Sequence, residues 1–155
     1  MNQFVLMQGS AEELSLFPHI LELGVVKNSY VQLNALPKAV MSGVKFLYIL
    51  DGKFHWHIHN SEYTLFPGDV ALILPGQEFG SSSAVLETGS FSFLHINADL
   101  KGTDEIILDK WSSLSGNEII AISKILLLSN PLVITKLNEA GKILKSIQQE
   151  LCNQE

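Results

Sequence analysis

Arginine is missing from this 155-residue chain: all ten basic residues are lysine, set against sixteen acidic ones, for a formal net charge of −6. Guanidinium forks are the usual readers of guanine edges, phosphates and bidentate carboxylates. An acidic chain without them is a poor nucleic-acid binder by itself. Cysteine is nearly missing too. The single Cys152 excludes a disulfide framework within the chain and any zinc-ribbon spacing. Long hydrophobic runs are absent: the longest, IIAISKILLL (119–128), is too short to span a bilayer and contains Lys124. The first residues, MNQFVLMQGS, lack the basic and apolar regions of a signal peptide. A soluble, reducing, cytoplasmic setting is the expectation. No GxSxG, phosphate loop or HExxH occurs, and no pair of carboxylates is placed by spacing. What is present is 46% hydrophobic and 17% charged residues, enough core for one globular domain.

Residues 20–97 read as strands. SYVQL, VKFLYIL, KFHWHIH, EYTLF, DVALIL, AVLE and SFSFLHI are short β-branched or aromatic runs, separated by turn signals at Pro37, Gly43, Gly52, Asn60, Pro67-Gly68-Asp69, Pro75-Gly76 and Gly89. Asp51-Gly52 suits the type I′ turn of a hairpin joining LYIL to KFHWHI. Many evenly punctuated strands predict a barrel or sandwich. SAEEL, near the N-terminus, suits either a capped short helix or a polar loop. The segment 105–134 is ambiguous between helix and extended structure. Over 135–155, Leu137, Ala140, Leu144, Ile147 and Leu151 step by three and four, the seam of an amphipathic helix.

The run FLYILDGKFHWHIHNSEYTLFPGDVALILPGQEF (46–79) resembles the cupin core of AraC-type transcription regulators. The glycine turn is Gly52, the corner is Pro67-Gly68-Asp69 and the later turn is Pro75-Gly76; SFSFLHI (90–96) resembles the strand that closes that barrel. The resemblance implies a mostly β fold, a cupin double-stranded β-helix (jelly-roll barrel) with a C-terminal helical segment. It divides the chain into a sensing barrel (1–104), a connecting segment (105–134) and a dimerisation helix (135–155), with Leu137, Ala140, Leu144, Ile147 and Leu151 in the interface. It also implies a homodimer that takes a small-molecule effector in the lumen. DNA would be reached only through a helix-turn-helix module that this chain does not contain.

Metal-binding cupins carry an H-x-H, a glutamate before the first glycine turn and a histidine after the PG turn. The corresponding positions here are LNALPKAV (33–40), Lys45 and Phe79. A lysine in place of an anionic ligand repels a divalent cation. His55, His57 and His59 come one strand too late. They alternate with Phe54, Trp56 and Ile58, so burying the apolar set turns the imidazoles away from the core. No metal, no cofactor and no enzymatic activity are therefore expected. The alternatives are a small metal-dependent cupin enzyme using His55 and His57 with Glu62, and a stand-alone small-molecule-binding cupin. Under the resemblance, ligand binding falls to Lys45, Leu47 and Ile49 on one strand face, Phe79 and Ser81 after the PG turn, and Phe91, Phe93 and His95 on the closing strand. Phe46 and Tyr48 face the other way.

Overall fold

The computed structural model describes residues 4–108, 110–129 and 132–153. Among them, twelve strands build the fold: β1 (Phe4–Met7), β2 (Ile20–Asn28), β3 (Ala39–Val40), β4 (Val44–Gly52), β5 (Phe54–Ile58), β6 (Ser61–Leu65), β7 (Val70–Ile73), β8 (Glu78–Gly80), β9 (Gly89–Ile96), β10 (Asp99–Lys101), β11 (Glu105–Ile107) and β12 (Leu132–Ile134). One sheet runs β1-β2-β9-β4-β7-β12, a second runs β3-β8-β5-β6, and β10 and β11 pair alone. The chain passes from sheet to sheet as it goes, and the late strands β8 and β9 slot between early ones. All pairings within both sheets are antiparallel. This order is the jelly roll of a cupin barrel.

Side-chain alternation fills the space between the sheets. Leu47, Ile49, Phe54, Trp56, Ile58, Leu65, Ala71, Ile73, Phe79, Phe91 and Phe93 form one buried cluster. Phe54, Trp56, Phe79 and Phe91 meet at ring-centroid distances of 5.0–5.4 Å, mostly edge to face. The outer face of the six-stranded sheet carries a second core of Leu6, Leu14, Ile20, Leu23 and Leu94, with Phe46 and Tyr48 beside it.

Two sequence expectations need correction here. Asp51-Gly52 does not close a hairpin. β4 pairs with β7 and β9, whereas β5 pairs with β6 and β8, so the chain crosses from one sheet to the other at this point. Gly52 has φ +84° and lies against Gly89, where a Cβ on either residue would strike the opposite backbone. The dipeptide thus serves a bend and a close approach. SYVQL and AVLE are not strands; they are loops joined by one bridge between Gln32 and Leu86. The nine-residue β2, which was not among the expected strands, lies in the six-stranded sheet between β1 and β9.

The connecting segment contains β10, β11 and helix α1 (Gly116–Leu128), capped by Ser115, whose side chain accepts from Glu118 N–H. It ends in β12, which adds an edge strand to the barrel sheet beside β7. Helix α2 (Asn138–Cys152) follows. SAEEL contains a single 3₁₀ turn, Glu12–Leu14, without a side-chain cap. Among the described residues no helix is long and apolar enough to cross a membrane.

Candidate functional site

One end of the barrel interior carries a row of polar side chains. His95 on β9 sits opposite Glu22 on β2 and opposite Lys45 on β4, and the row ends on Ile73 of β7. Directly paired residues on antiparallel strands project to the same face, so Glu22, His95 and Lys45 share the lumen side with Leu47, Ile49 and Phe93. The Lys45 ammonium lies 5.2 Å from the ring centroid of Phe93 and 5.9 Å from that of Phe79. Burial pushes this ammonium below the ordinary lysine value, while Glu22 opposes the shift. His95 Nε2 lies 2.5 Å from the carbonyl oxygen of Ser42. Because a carbonyl only accepts, Nε2 donates its hydrogen there. Glu22 escaped the sequence reading; its signal was its phase with Val26 on the strand that reading omitted.

The remaining expected ligand residues lie along the same interior. Leu47, Ile49, Phe79, Phe91 and Phe93 belong to the packed cluster. Buried Ser81 shares a hydrogen bond of 3.1 Å with Ser83. Deeper in, Trp56 is fully buried and its indole Nε1 has no hydrogen-bond partner among the described residues. Its ring meets Phe79 at 5.3 Å, the same ring over which Lys45 stands. Buried donors normally find acceptors, so Trp56 Nε1 is an exception within this interior.

The histidine strand turns outward. Phe54, Trp56 and Ile58 are 0% exposed, and the imidazoles take the opposite face. His57 Nδ1 lies 3.0 Å from Glu62 Oε1. Its Nε2 lies 2.9 Å from Glu78 Oε1, a charge-pairing distance without an aligned hydrogen bond. A hydrogen bond from Ser82 Oγ, together with His57 and Lys38, holds the Glu62 carboxyl below the usual range, against the opposing effect of burial. His55 is drawn away to Glu87, whose carboxylate accepts from the His55 backbone N–H at 2.7 Å. The alternative trio is therefore split: His57 and Glu62 meet, and His55 does not join them. Among the described residues no group of three or more His, Cys, Asp or Glu side chains is arranged to hold a metal ion.

The seam of α2 needs a further correction. Leu144 and Leu151 are buried against Leu6, Leu14, Ile20, Leu23 and Leu94 of the same chain, and Ile147 packs beside them. Leu137 and Ala140 are half-buried at the helix start. Tyr48 lies against Gly141 so closely that a Cβ there would run into its ring. Gln148 Nε2 donates to Ser92 Oγ at 3.1 Å. The stripe assigned to a dimer is thus used on the chain's own barrel, because the outer face of β9 offers a matching apolar surface. A mostly apolar cavity of about 530 Å³ remains beside the helix, between Phe17, His19, Leu94, Trp111, Ile143 and Ile147.

No family model and no curated protein sequence matches the chain. Among solved structures it resembles apo-HppE, at 14% identity and a TM-score of 0.36, covering 51% of this chain and 42% of that one. It also resembles Bacillus subtilis oxalate decarboxylase in a structure concerned with its Mn(II) centres, at 13% identity and a TM-score of 0.35. A point mutant of that decarboxylase gives 15% identity and a TM-score of 0.35; each decarboxylase match covers 74% of this chain and 32% of the other. The chain spans less than half the length of each of these proteins. The oxalate decarboxylase among them is an enzyme by name, and the expectation that the chain is not an enzyme is corrected to that extent: an enzymatic role is not excluded.

Proposed function

We propose that this chain is a small-molecule-binding cupin domain acting as the sensing half of an AraC-type transcription regulator. One observation carries the binding role: a fully buried donor in the barrel interior, the indole N–H of Trp56, has no acceptor among the described residues. It packs against Phe79, the ring over which the Lys45 ammonium stands. A buried unpaired donor costs on the order of 1–3 kcal/mol. A ligand with acceptor oxygens and an apolar body recovers that cost, whereas a metal cation or a pure hydrocarbon does not. A small organic acid, a carbonyl compound or a sugar has the required chemistry, with Phe79, Phe91 and Phe93 supplying the apolar walls.

In this reading DNA contact belongs to a helix-turn-helix module joined to the domain, because an acidic, arginine-free chain is a poor nucleic-acid binder by itself. Homodimerisation falls to the apolar residues that α1 leaves exposed, since the seam of α2 is already occupied. The test has two parts. A panel of small acids, carbonyl compounds and sugars is screened for a rise in melting temperature; at one hundred times its Kd a ligand stabilises by about 2.7 kcal/mol. That rise should vanish in Lys45→Met and shrink in Trp56→Phe. The domain is then fused to an operator-binding helix-turn-helix module, and the same ligand should change operator occupancy. A panel that shifts neither melting temperature nor occupancy would sink the proposal.

A further inference from the structure

The proposed lumen site holds a lysine unlike the others in the molecule. Lys27, Lys38, Lys53, Lys101, Lys124, Lys136, Lys142 and Lys145 are exposed; of the lysines whose side chains are described, only Lys45 is not. Its amine stands near two aromatic rings, and among the described residues no carboxylate lies within salt-bridge distance of it, Glu22 acting only from further away. We infer that Lys45 is a carbonyl-capturing amine, which condenses with the aldehyde or ketone carbon of a small oxo acid to form an imine. This rests on the lumen being the ligand site, and it names the ligand class.

The chemistry follows from the surroundings. The ammonium first loses a proton, which burial favours because it disfavours the charged form. The free nitrogen lone pair attacks the carbonyl carbon, and the carbonyl oxygen takes up protons and leaves as water. A C=N bond replaces the C=O bond, so nothing is oxidised or reduced. Desolvation among apolar groups is a recognised way to make a lysine nucleophilic. An oxo acid also keeps its carboxylate, an acceptor for the indole N–H of Trp56. Neither a sugar alcohol nor a simple acid meets both demands.

The test uses glyoxylate with sodium cyanoborohydride, which reduces the imine to a stable carboxymethyl-lysine, on the folded full-length chain at neutral pH. Peptide mapping by mass spectrometry should find Lys45 modified faster than any exposed lysine, because burial raises its unprotonated share. In urea the preference should disappear. The inference is overturned if Lys45 reacts no faster than its exposed counterparts, or if its preference survives unfolding. Propionate, an acid without a reactive carbonyl, separates the two levels of the proposal. If it raises the melting temperature while glyoxylate leaves Lys45 unlabelled, the lumen site stands and the imine falls. If neither acid shifts the melting temperature and Lys45 stays unlabelled, both fall.

Discussion

The two helices of this chain spend their apolar residues in opposite ways. α1, GNEIIAISKILLL, is the more hydrophobic, yet Ile120, Ile122, Ile125 and Leu128 are exposed, Leu128 at 85%. α2, NEAGKILKSIQQELC, has fewer apolar residues and buries Leu144 and Leu151 almost completely. The centre of the buried stripe of α1 is Ser123, 1% exposed, which accepts from the Ile106 backbone N–H at 2.9 Å and donates to the Ile119 carbonyl at 2.7 Å. α2 is held by packing, with Gln148 as its main polar tie to the sheet; α1 docks around one hydroxyl that completes the hydrogen bonding of β11. The phase of the apolar residues, not their number, decides what a helix buries.

The largest effect should come from attacking the stripe of α2. Leu144→Asp places a carboxylate in the outer core and should cost several kcal/mol, a large part of a typical domain's stability. Circular dichroism should show a largely unfolded chain. A folded monomer of wild-type stability would mean that α2 does not hold the barrel. Next, Ser123→Ala strands the Ile106 N–H and should cost about 1–3 kcal/mol, lowering the melting temperature by several degrees. An unchanged melting temperature would place α1 among ornaments of the fold.

Gly141→Ala is the more delicate probe. Alanine favours the helix by up to about 1 kcal/mol, but its Cβ meets the Tyr48 ring. The net result should be a loss of about 1 kcal/mol, since overpacking costs about 1–3 kcal/mol. Adding Tyr48→Ala should convert the alanine into a gain relative to Tyr48→Ala alone, a sign change readable by urea titration. Smallest in stability is Ile125→Lys with Leu128→Lys, within about 0.5 kcal/mol of wild type. Sedimentation should nevertheless shift from dimer to monomer if these residues join two copies.

The same contrast shows what the sequence could reveal. The 3.6-residue period of α2 identified Leu144, Ile147 and Leu151 as one stripe. Period is silent about whose surface covers a stripe, and the stripe was assigned to a partner rather than to β9. In α1 a serine at the stripe's centre hides the pattern, because only tertiary structure reveals the N–H it satisfies. In the barrel, alternation located Lys45, Leu47, Ile49, Phe91, Phe93 and His95 on one inner face. It missed β2, whose pairing shifts register between Ile20 and Glu22 and whose Glu22 projects a charge inward. Asp51-Gly52 looked like a hairpin because a dipeptide encodes a bend and not the sheet that follows it. The orphaned N–H of Trp56 had no sequence signature at all.

The slot taken by β9 also sets a timetable. β2 finds its barrel partner only in β9, and β4 shares that same strand. The ribosome completes Asn28 long before it reaches Gly89, a wait on the order of seconds at ordinary synthesis rates. Throughout it β2 has only β1 to pair with, and one flank of β4 stays unpaired. The nascent chain must therefore carry open strand edges that the finished barrel conceals, and its exposure to misassembly in the cell ends only when residues 89–96 emerge.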